Sequence, residues 1–163
     1  MAKRILVPVG DNECAEAIVP VVAALARDGG GTVRLLNVQP LQRTRFHDAA
    51  SRLPLYGYDP EVTLEVPQRV LTYAHTHEER LESETLERLR QLEPLLDGVA
   101  VERTVRFGDV VEEIACEADA FDADLIAVSE SRRPWWRPAL ARFVDRVRSR
   151  ARVPVLALSG AAR

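Results

Sequence analysis

Few residues in this chain have both the type and the position that chemistry requires. One carboxylate, Asp11, closely follows the first apolar segment, and two serines, Ser129 and Ser131, follow a later one. A serine after a buried strand is typical of a hydrolase nucleophile. This chain, however, has no Gly-x-Ser-x-Gly elbow and no histidine after these serines. The leading interpretation is therefore a protein that is not an enzyme.

Neighbouring ionisable residues on predicted helices form the next candidates. The pairs 78–79 and 112–113 are adjacent glutamates, and adjacent residues on a helix point in different directions, so neither pair can share a proton. His75 and His77 diverge for the same reason, and we expect no metal site. The two cysteines lack a Cys or His partner at metal-ligand spacing and are interpreted as small buried hydrophobic residues, with a disulfide as the alternative: Cys14 and Cys116.

An arginine-rich segment spans residues 129–152. It carries a net charge of +6, whereas the whole chain has a net charge of −3. Phosphate groups or an acidic partner are the functional interpretations of such a patch, and a solvated helix face is the structural one. Apart from Trp135 and Trp136 it has no interleaved aromatic residues, and it matches no nucleic-acid-binding module, so we do not expect nucleic acid as the partner. Its arginines are Arg132, Arg133, Arg137, Arg142, Arg146, Arg148, Arg150 and Arg152.

Length and composition favour one globular domain. The chain has 163 residues, of which 47% are hydrophobic and 29% charged, close to the average for folded domains. No apolar run approaches the roughly 18 residues needed to cross a bilayer. Residues 1–4 lead directly into an apolar strand pattern without a signal-peptide profile. We therefore expect a cytoplasmic protein that does not insert into membranes.

Apolar runs and helical repeats alternate along the chain. This alternation predicts an α/β fold with a doubly wound, five-stranded parallel sheet and helices on both faces. Ligands of such sheets bind beyond the carboxyl ends of the strands, where the strand order reverses. The predicted strands are 4–9, 32–38, 99–105, 124–128 and 153–158. The predicted helices are 13–27, 72–96, 110–120 and 139–151.

Residues 39–71 interrupt the alternation with four prolines and with the aromatic residues Phe46, Tyr56 and Tyr58. A loop of this length inside a small domain is usually a lid, a binding loop or an assembly element. We interpret it as an insertion in a single domain that spans residues 1–163.

Five short motifs, in this order and spacing, resemble the universal stress protein family. The resemblance implies the strand order 3-2-1-4-5, a homodimer built through strand 153–158, and a regulatory role in stress through protein partners. The motifs are Ile5-Leu-Val-Pro-Val9, Leu35-Leu-Asn-Val38, Phe107-Gly108-Asp109, the stretch 123–128 and the stretch 152–157.

Many members of that family are ATP binders, and the resemblance implies where their site would lie here. The family has an acidic residue directly after the first strand, where this chain has Gly10 followed by Asp11. The family's glycine motif after the fourth strand falls on Ser129 and Arg132, and its closing Gly-Ser/Thr pair falls near 141–142. Such glycines matter because a Cβ blocks the close approach of backbone amides to phosphate.

Two interpretations of this altered loop stay open. In the first, Trp135 and Trp136 close the cleft, and the protein does not bind ATP in the family manner. In the second, arginines replace the glycine amides as phosphate ligands, and the protein binds ATP with weak hydrolysis. The residues of the candidate nucleotide site are Pro8, Val9, Gly10, Asp11, Val38, Val128, Ser129, Arg132 and Arg142.

Overall fold

The computed structural model describes residues 3–10, 15–40, 68–130 and 139–159. Five strands and four helices alternate in these ranges, with a short 3-10 helix after the second helix. The strands are β1 (Arg4–Pro8), β2 (Thr32–Gln39), β3 (Ala100–Phe107), β4 (Leu125–Glu130) and β5 (Val155–Ser159). The helices are α1 (Ala15–Arg27), α2 (Gln68–Arg90), the 3-10 helix (Glu93–Leu96), α3 (Val110–Ala120) and α4 (Ala139–Arg150).

The sheet is parallel throughout and has the order β3-β2-β1-β4-β5. This result confirms the predicted fold class and strand order. The chain moves outward from β1 to β3, returns past β1 to β4 and then moves outward to β5. The strand order therefore reverses between β1 and β4, which puts the switch point of the sheet there.

Two hydrophobic cores lie on opposite faces of the sheet. On one face α1, α2 and the 3-10 helix cover Ile5, Val7 and Leu35, and on the other α3 and α4 cover Leu6 and Leu36. Residues 5–7 of β1 have no exposed surface, because β1 is the central strand and is covered on both faces. A run of consecutive apolar residues is what a central parallel strand requires.

Several predicted boundaries are wrong by a few residues. Gln39 is the last residue of β2 and α2 begins at Gln68, so the predicted loop 39–71 is too long at both ends. The predicted helix 72–96 ends as an α-helix at Arg90 and continues as a 3-10 helix. Residues 41–67 lie outside the described part of the chain, and so do Trp135 and Trp136.

The buried face of α1 is not the one that its apolar repeat suggests. Ala17, Val21, Ala24 and Leu25 recur at helical spacing, yet the first three are exposed and Val21 keeps 41% of its surface accessible. The residues that face the sheet are Ile18, Val19, Val22, Ala23 and Ala26. Because α1 is apolar on most of its circumference, its sequence has no distinct polar face by which to orient it.

A buried carboxylate attaches α3 to β2 and β3. Glu117 of α3 is 1% exposed and accepts hydrogen bonds from Arg34 of β2 at 2.5 Å and from Arg106 of β3 at 2.6 Å. Arg34 also donates to Glu102, and its guanidinium carbon lies 4.1 Å from the ring centroid of Phe121. Burial opposes the charge of Arg34, but its hydrogen bonds with Glu102 and Glu117 outweigh that effect and raise the pKa of Arg34 above its usual value.

We predict that Glu117→Ala destabilises the protein by about 3 kcal/mol, because it leaves two arginines without their buried carboxylate. Chemical denaturation monitored by circular dichroism measures this loss. The matched control is Glu112→Ala on the same helix, where an exposed pair with Arg150 is removed and the expected loss is under about 1 kcal/mol. Equal losses for the two variants would contradict a structural role for the buried carboxylate.

Candidate functional site

The pairing between β1 and β4 ends early. Its register joins Ile5 to Leu125 and Leu6 to Ile126 and goes no further, whereas β1 pairs with β2 as far as Pro8. Beyond Leu6, the carboxyl halves of β1 and β4 are therefore paired to their outer neighbours and not to each other. We call residues 8–10, 37–39 and 128–129, which lie at this edge of the sheet, the switch-point edge.

Pro8 provides the physical reason for the early end. The amide of Val9 donates to the Leu36 oxygen of β2 at 2.7 Å, and successive residues of a strand direct their amides to opposite sides. The nitrogen of Pro8 therefore faces β4. Because proline has no N–H, it cannot donate the hydrogen bond that would continue the pairing past Leu6.

The structure brings most of the predicted site residues to this edge. Val9 and Val128 are buried there, Pro8, Val38 and Ser129 are half-buried, and Gly10 is exposed. No described atom lies within 4 Å of where a Cβ on Gly10 would be, so packing does not require glycine at this position. Arg142 lies in α4, but its side chain is outside the described part of the chain. The remaining predicted residues lie outside the described ranges: Asp11 and Arg132.

Strand β4 is longer than predicted. Ser129 and Glu130 were expected to begin the loop after this strand, yet they pair in register with Leu158 and Ser159 of β5. The position that corresponds to the first glycine of the family motif, Ser129, is therefore part of a regular strand. A residue fixed in a strand pairing is not free to form the tight turn that presents backbone amides to phosphate.

A buried pair of amide side chains at the edge was not identified from the sequence. Asn37 is 4% exposed and its Nδ2 donates to the carbonyl oxygen of Val9 at 2.7 Å. Gln39 is 8% exposed and its Nε2 donates to Oδ1 of Asn37, also at 2.7 Å. The signal in the sequence is the appearance of two polar residues, two apart, at the end of an apolar strand, which places both on one face.

The described arginine side chains of the arginine-rich segment are all paired with carboxylates. Each of the four described arginine side chains lies within 4.0 Å of a carboxylate, and three of those carboxylates belong to α3 or its N-cap. This arrangement agrees with the structural interpretation of a solvated helix face. The pairs are Arg146–Asp109, Arg148–Asp145, Arg150–Glu112 and Arg152–Asp119.

The other candidate residues that the structure describes do not form a second functional site. Asp109 caps α3, accepting from the amides of Val111 and Glu112 at 3.1 and 3.2 Å. His75 lies on exposed α2, 3.2 Å from Glu79. Cys116 is a free, exposed cysteine, so the prediction that it is buried is wrong. Among the residues described, no three His, Cys, Asp or Glu side chains are grouped closely enough to hold a metal ion.

Among the helices that the structure describes, none combines the length and the apolar character that crossing a bilayer needs.

The sequence model of the universal stress protein family matches residues 1–159. No curated protein sequence matches the chain. Among solved structures, the hypothetical protein MJ0577 is 18% identical with a TM-score of 0.65, over 100% of this chain and 99% of that one.

Two further similar structures contain nucleotides. A universal stress protein in complex with cAMP is 13% identical with a TM-score of 0.58, over 98% of both chains. A universal stress protein from Archaeoglobus fulgidus in complex with dAMP is 19% identical with a TM-score of 0.51, over 96% of this chain and 98% of that one. At these identities the likeness shows a shared fold.

We predict that Asn37 and Gln39 are energetically coupled. Asn37→Leu removes the donor to Val9 and the acceptor for Gln39, and should cost about 2 kcal/mol or more, since unpaired buried polar groups are costly. The double variant Asn37→Leu/Gln39→Leu should lose about 1 kcal/mol less stability than the sum of the losses in the two single variants. Urea denaturation of the two single variants and the double variant measures this coupling, and strict additivity would contradict it.

Proposed function

This chain belongs to the universal stress protein family, and we propose that it is a cytoplasmic regulatory protein of the stress response that catalyses no reaction and acts through protein partners. In this proposal the switch-point edge does not hold a triphosphate in the family manner. The described residues of the edge carry no charged side chain, which favours a binding surface over a reaction centre.

The observation that carries the proposal is the continuation of β4 through Ser129 and Glu130. A phosphate cradle needs a turn whose successive backbone amides converge on the anion, usually with glycine so that the backbone can approach closely. Here a serine in a paired strand occupies the first of those positions, and the sequence has an acidic residue directly after it. A carboxylate next to the phosphate position would oppose anion binding.

The two edges of the sheet support a homodimer through β5. All four apolar residues of β5 are half-buried, and Leu156 packs against neither core within the described part of the chain. An edge strand with accessible apolar side chains is stabilised by a partner. The opposite edge strand, β3, is different, because its charged residues are already ion-paired within the chain: Glu102 with Arg34, Arg103 with Glu93, and Arg106 with Glu117.

A second candidate function is nucleotide binding with arginine as the phosphate ligand, accompanied by slow ATP hydrolysis. Its support is that two structures with this fold hold cAMP and dAMP, and that the unpaired halves of β1 and β4 leave the switch point open. Arg142 near the start of α4 would then contact phosphate, since guanidinium pairs well with phosphate oxygens.

We predict that titration with Mg²⁺ and ATP in a calorimeter shows no binding at a Kd below about 10 μM, and that ATP binds no more tightly than adenosine. Micromolar binding that depends on the triphosphate would overturn the proposal in favour of the second candidate. In that case Arg142→Ala should lose affinity while Arg148→Ala should not. Arg148 is the matched control because it lies on the same helix and pairs with Asp145.

We predict further that the protein sediments as a dimer and that Leu156→Arg converts it to a monomer, because a charge would be buried against the partner's β5 edge. Analytical ultracentrifugation at micromolar concentration measures this change. The control is Thr104→Arg on β3, at the other edge of the sheet, which should remain dimeric. A dimer that survives Leu156→Arg, or a monomeric parent protein, would contradict assembly through β5.

A further inference from the structure

The helices cover the two faces of the sheet unequally. On the face that α1 covers, α2 contacts β2 and β3, and the 3-10 helix contacts β3. Helices α3 and α4 pack against the opposite face. Within the described part of the chain, no helix therefore lies beyond α1 over β5 on the α1 face.

The register of β4 and β5 identifies the side chains on this part of the face. Leu125 pairs with Ile5 and shares its face, and Ala127 pairs with Leu156. Because alternate residues of a strand share a face, Leu158 lies there too. The three leucines are half-buried, and among the described residues Leu156 packs against neither core. They form an apolar floor that the described helices cover only in part.

The side of α1 that borders this floor is apolar as well. Arg27 marks the other side of the helix, because its Nε donates to the carbonyl oxygen of Asp97 after the 3-10 helix, at 2.7 Å. Leu25 lies opposite Arg27, since two residues span about 200° of an α-helix, and Val21 lies one turn before Leu25. Leu25 is half-buried, and Val21 is 41% exposed. We call the following residues the open face: Val21, Leu25, Leu125, Leu156 and Leu158.

The exposed surface of α1 differs from that of its neighbours. Helices α2 and α4 expose charged side chains that pair with one another along each helix. The described side chains that α1 exposes before Arg27 are uncharged: Ala17, Pro20, Val21 and Ala24. A surface helix normally directs charged residues to solvent, and a contiguous apolar patch is typical of a contact with a partner.

The size of β5 favours a second copy of the chain as that partner. A stable interface usually involves about 20 to 30 residues from each protein, whereas β5 has 5 residues. Pairing between two β5 edges is therefore too small to hold a dimer together by itself. The open face begins at β5, so a second copy held at β5 is next to the apolar surface that such a dimer needs.

We propose that two copies pack their open faces against each other, so that Val21 and Leu25 of α1 lie in the dimer interface together with Leu156. A two-fold interface uses the same patch on both copies, and an uncharged patch meets itself without opposing like charges. In the homodimer proposed above, on which this inference rests, the contact is then a sheet face and a helix side as well as a strand edge.

The test compares two valines of nearly equal exposure. Val21 is 41% exposed and belongs to the open face, whereas Val110 is 40% exposed and is the first residue of α3. Val21→Arg should raise the dissociation constant of the dimer about 100-fold or more, because it buries an unpaired charge. Val110→Arg should change it by less than about twofold, because that side chain stays in solvent. Analytical ultracentrifugation over a range of concentrations measures both constants.

A milder pair of variants protects the result against a loss of folding. Val21→Ala adds no charge and should weaken the dimer about fivefold, because two methyl groups leave the interface. Val110→Ala should leave the dissociation constant unchanged. Circular dichroism establishes that each variant is folded before its association is measured.

The outcomes for the open face and for the homodimer itself are separable. If Leu156→Arg gives a monomer while both Val21 variants keep the dissociation constant of the parent protein, the homodimer through β5 stands and the role of the open face is overturned. A parent protein that is monomeric overturns both. Equal weakening by Val21→Arg and Val110→Arg also overturns the role of the open face, because the effect then does not depend on it.

Discussion

The nitrogen of Pro8 faces β4 and has no hydrogen to donate, and the rest of the site depends on this constraint. Every other pairing in the sheet runs to the carboxyl end of at least one strand of the pair. The pairing between β1 and β4 stops at Leu6 and Ile126. Since α1, which follows β1, and α4, which follows β4, cover opposite faces of the sheet, the missing hydrogen bond lies where the two halves of the fold separate.

Two kinds of polar interaction stabilise the sheet near this opening. The neutral amides of Asn37 and Gln39 connect the ends of β1 and β2, and the amide of Gly108 donates to the Gln39 carbonyl from the turn before α3. The ionic group around Glu117 holds α3 against β2 and β3. The buried members of both groups, Asn37, Gln39 and Glu117, are all paired, which is the condition under which buried polar groups do not weaken a fold.

Much of this architecture is predictable from the sequence, and the failures have physical causes. The alternation of apolar runs and helical repeats was enough to predict five parallel strands and two covered faces. The face of α1 was not predictable, because Val21 and Val22 are equally apolar and contacts with the sheet decide which of them is buried. The continuation of β4 depends on β5, a strand some 30 residues later, and a local pattern cannot report that pairing.

The residues of the candidate site were likewise predictable only in part from the sequence. Val9, Val38 and Val128 were found because the family motifs contain them. Gln39 was placed in a loop, and the partners of Glu117 are 83 and 11 residues distant in sequence. The spacing of residues along the sequence does not reveal contacts of this kind, because the register of neighbouring strands and the packing of a helix against them decide which residues meet.

The most direct test of the account is to restore the missing donor with Pro8→Val and to measure hydrogen exchange at the new amide of residue 8 by NMR. If the absent N–H is what ends the pairing, the new amide should bond to β4 and exchange at least roughly 100-fold more slowly than a free amide. Exchange at the rate of a free amide in a folded variant would contradict the account, because the strands would then be held apart by something other than Pro8.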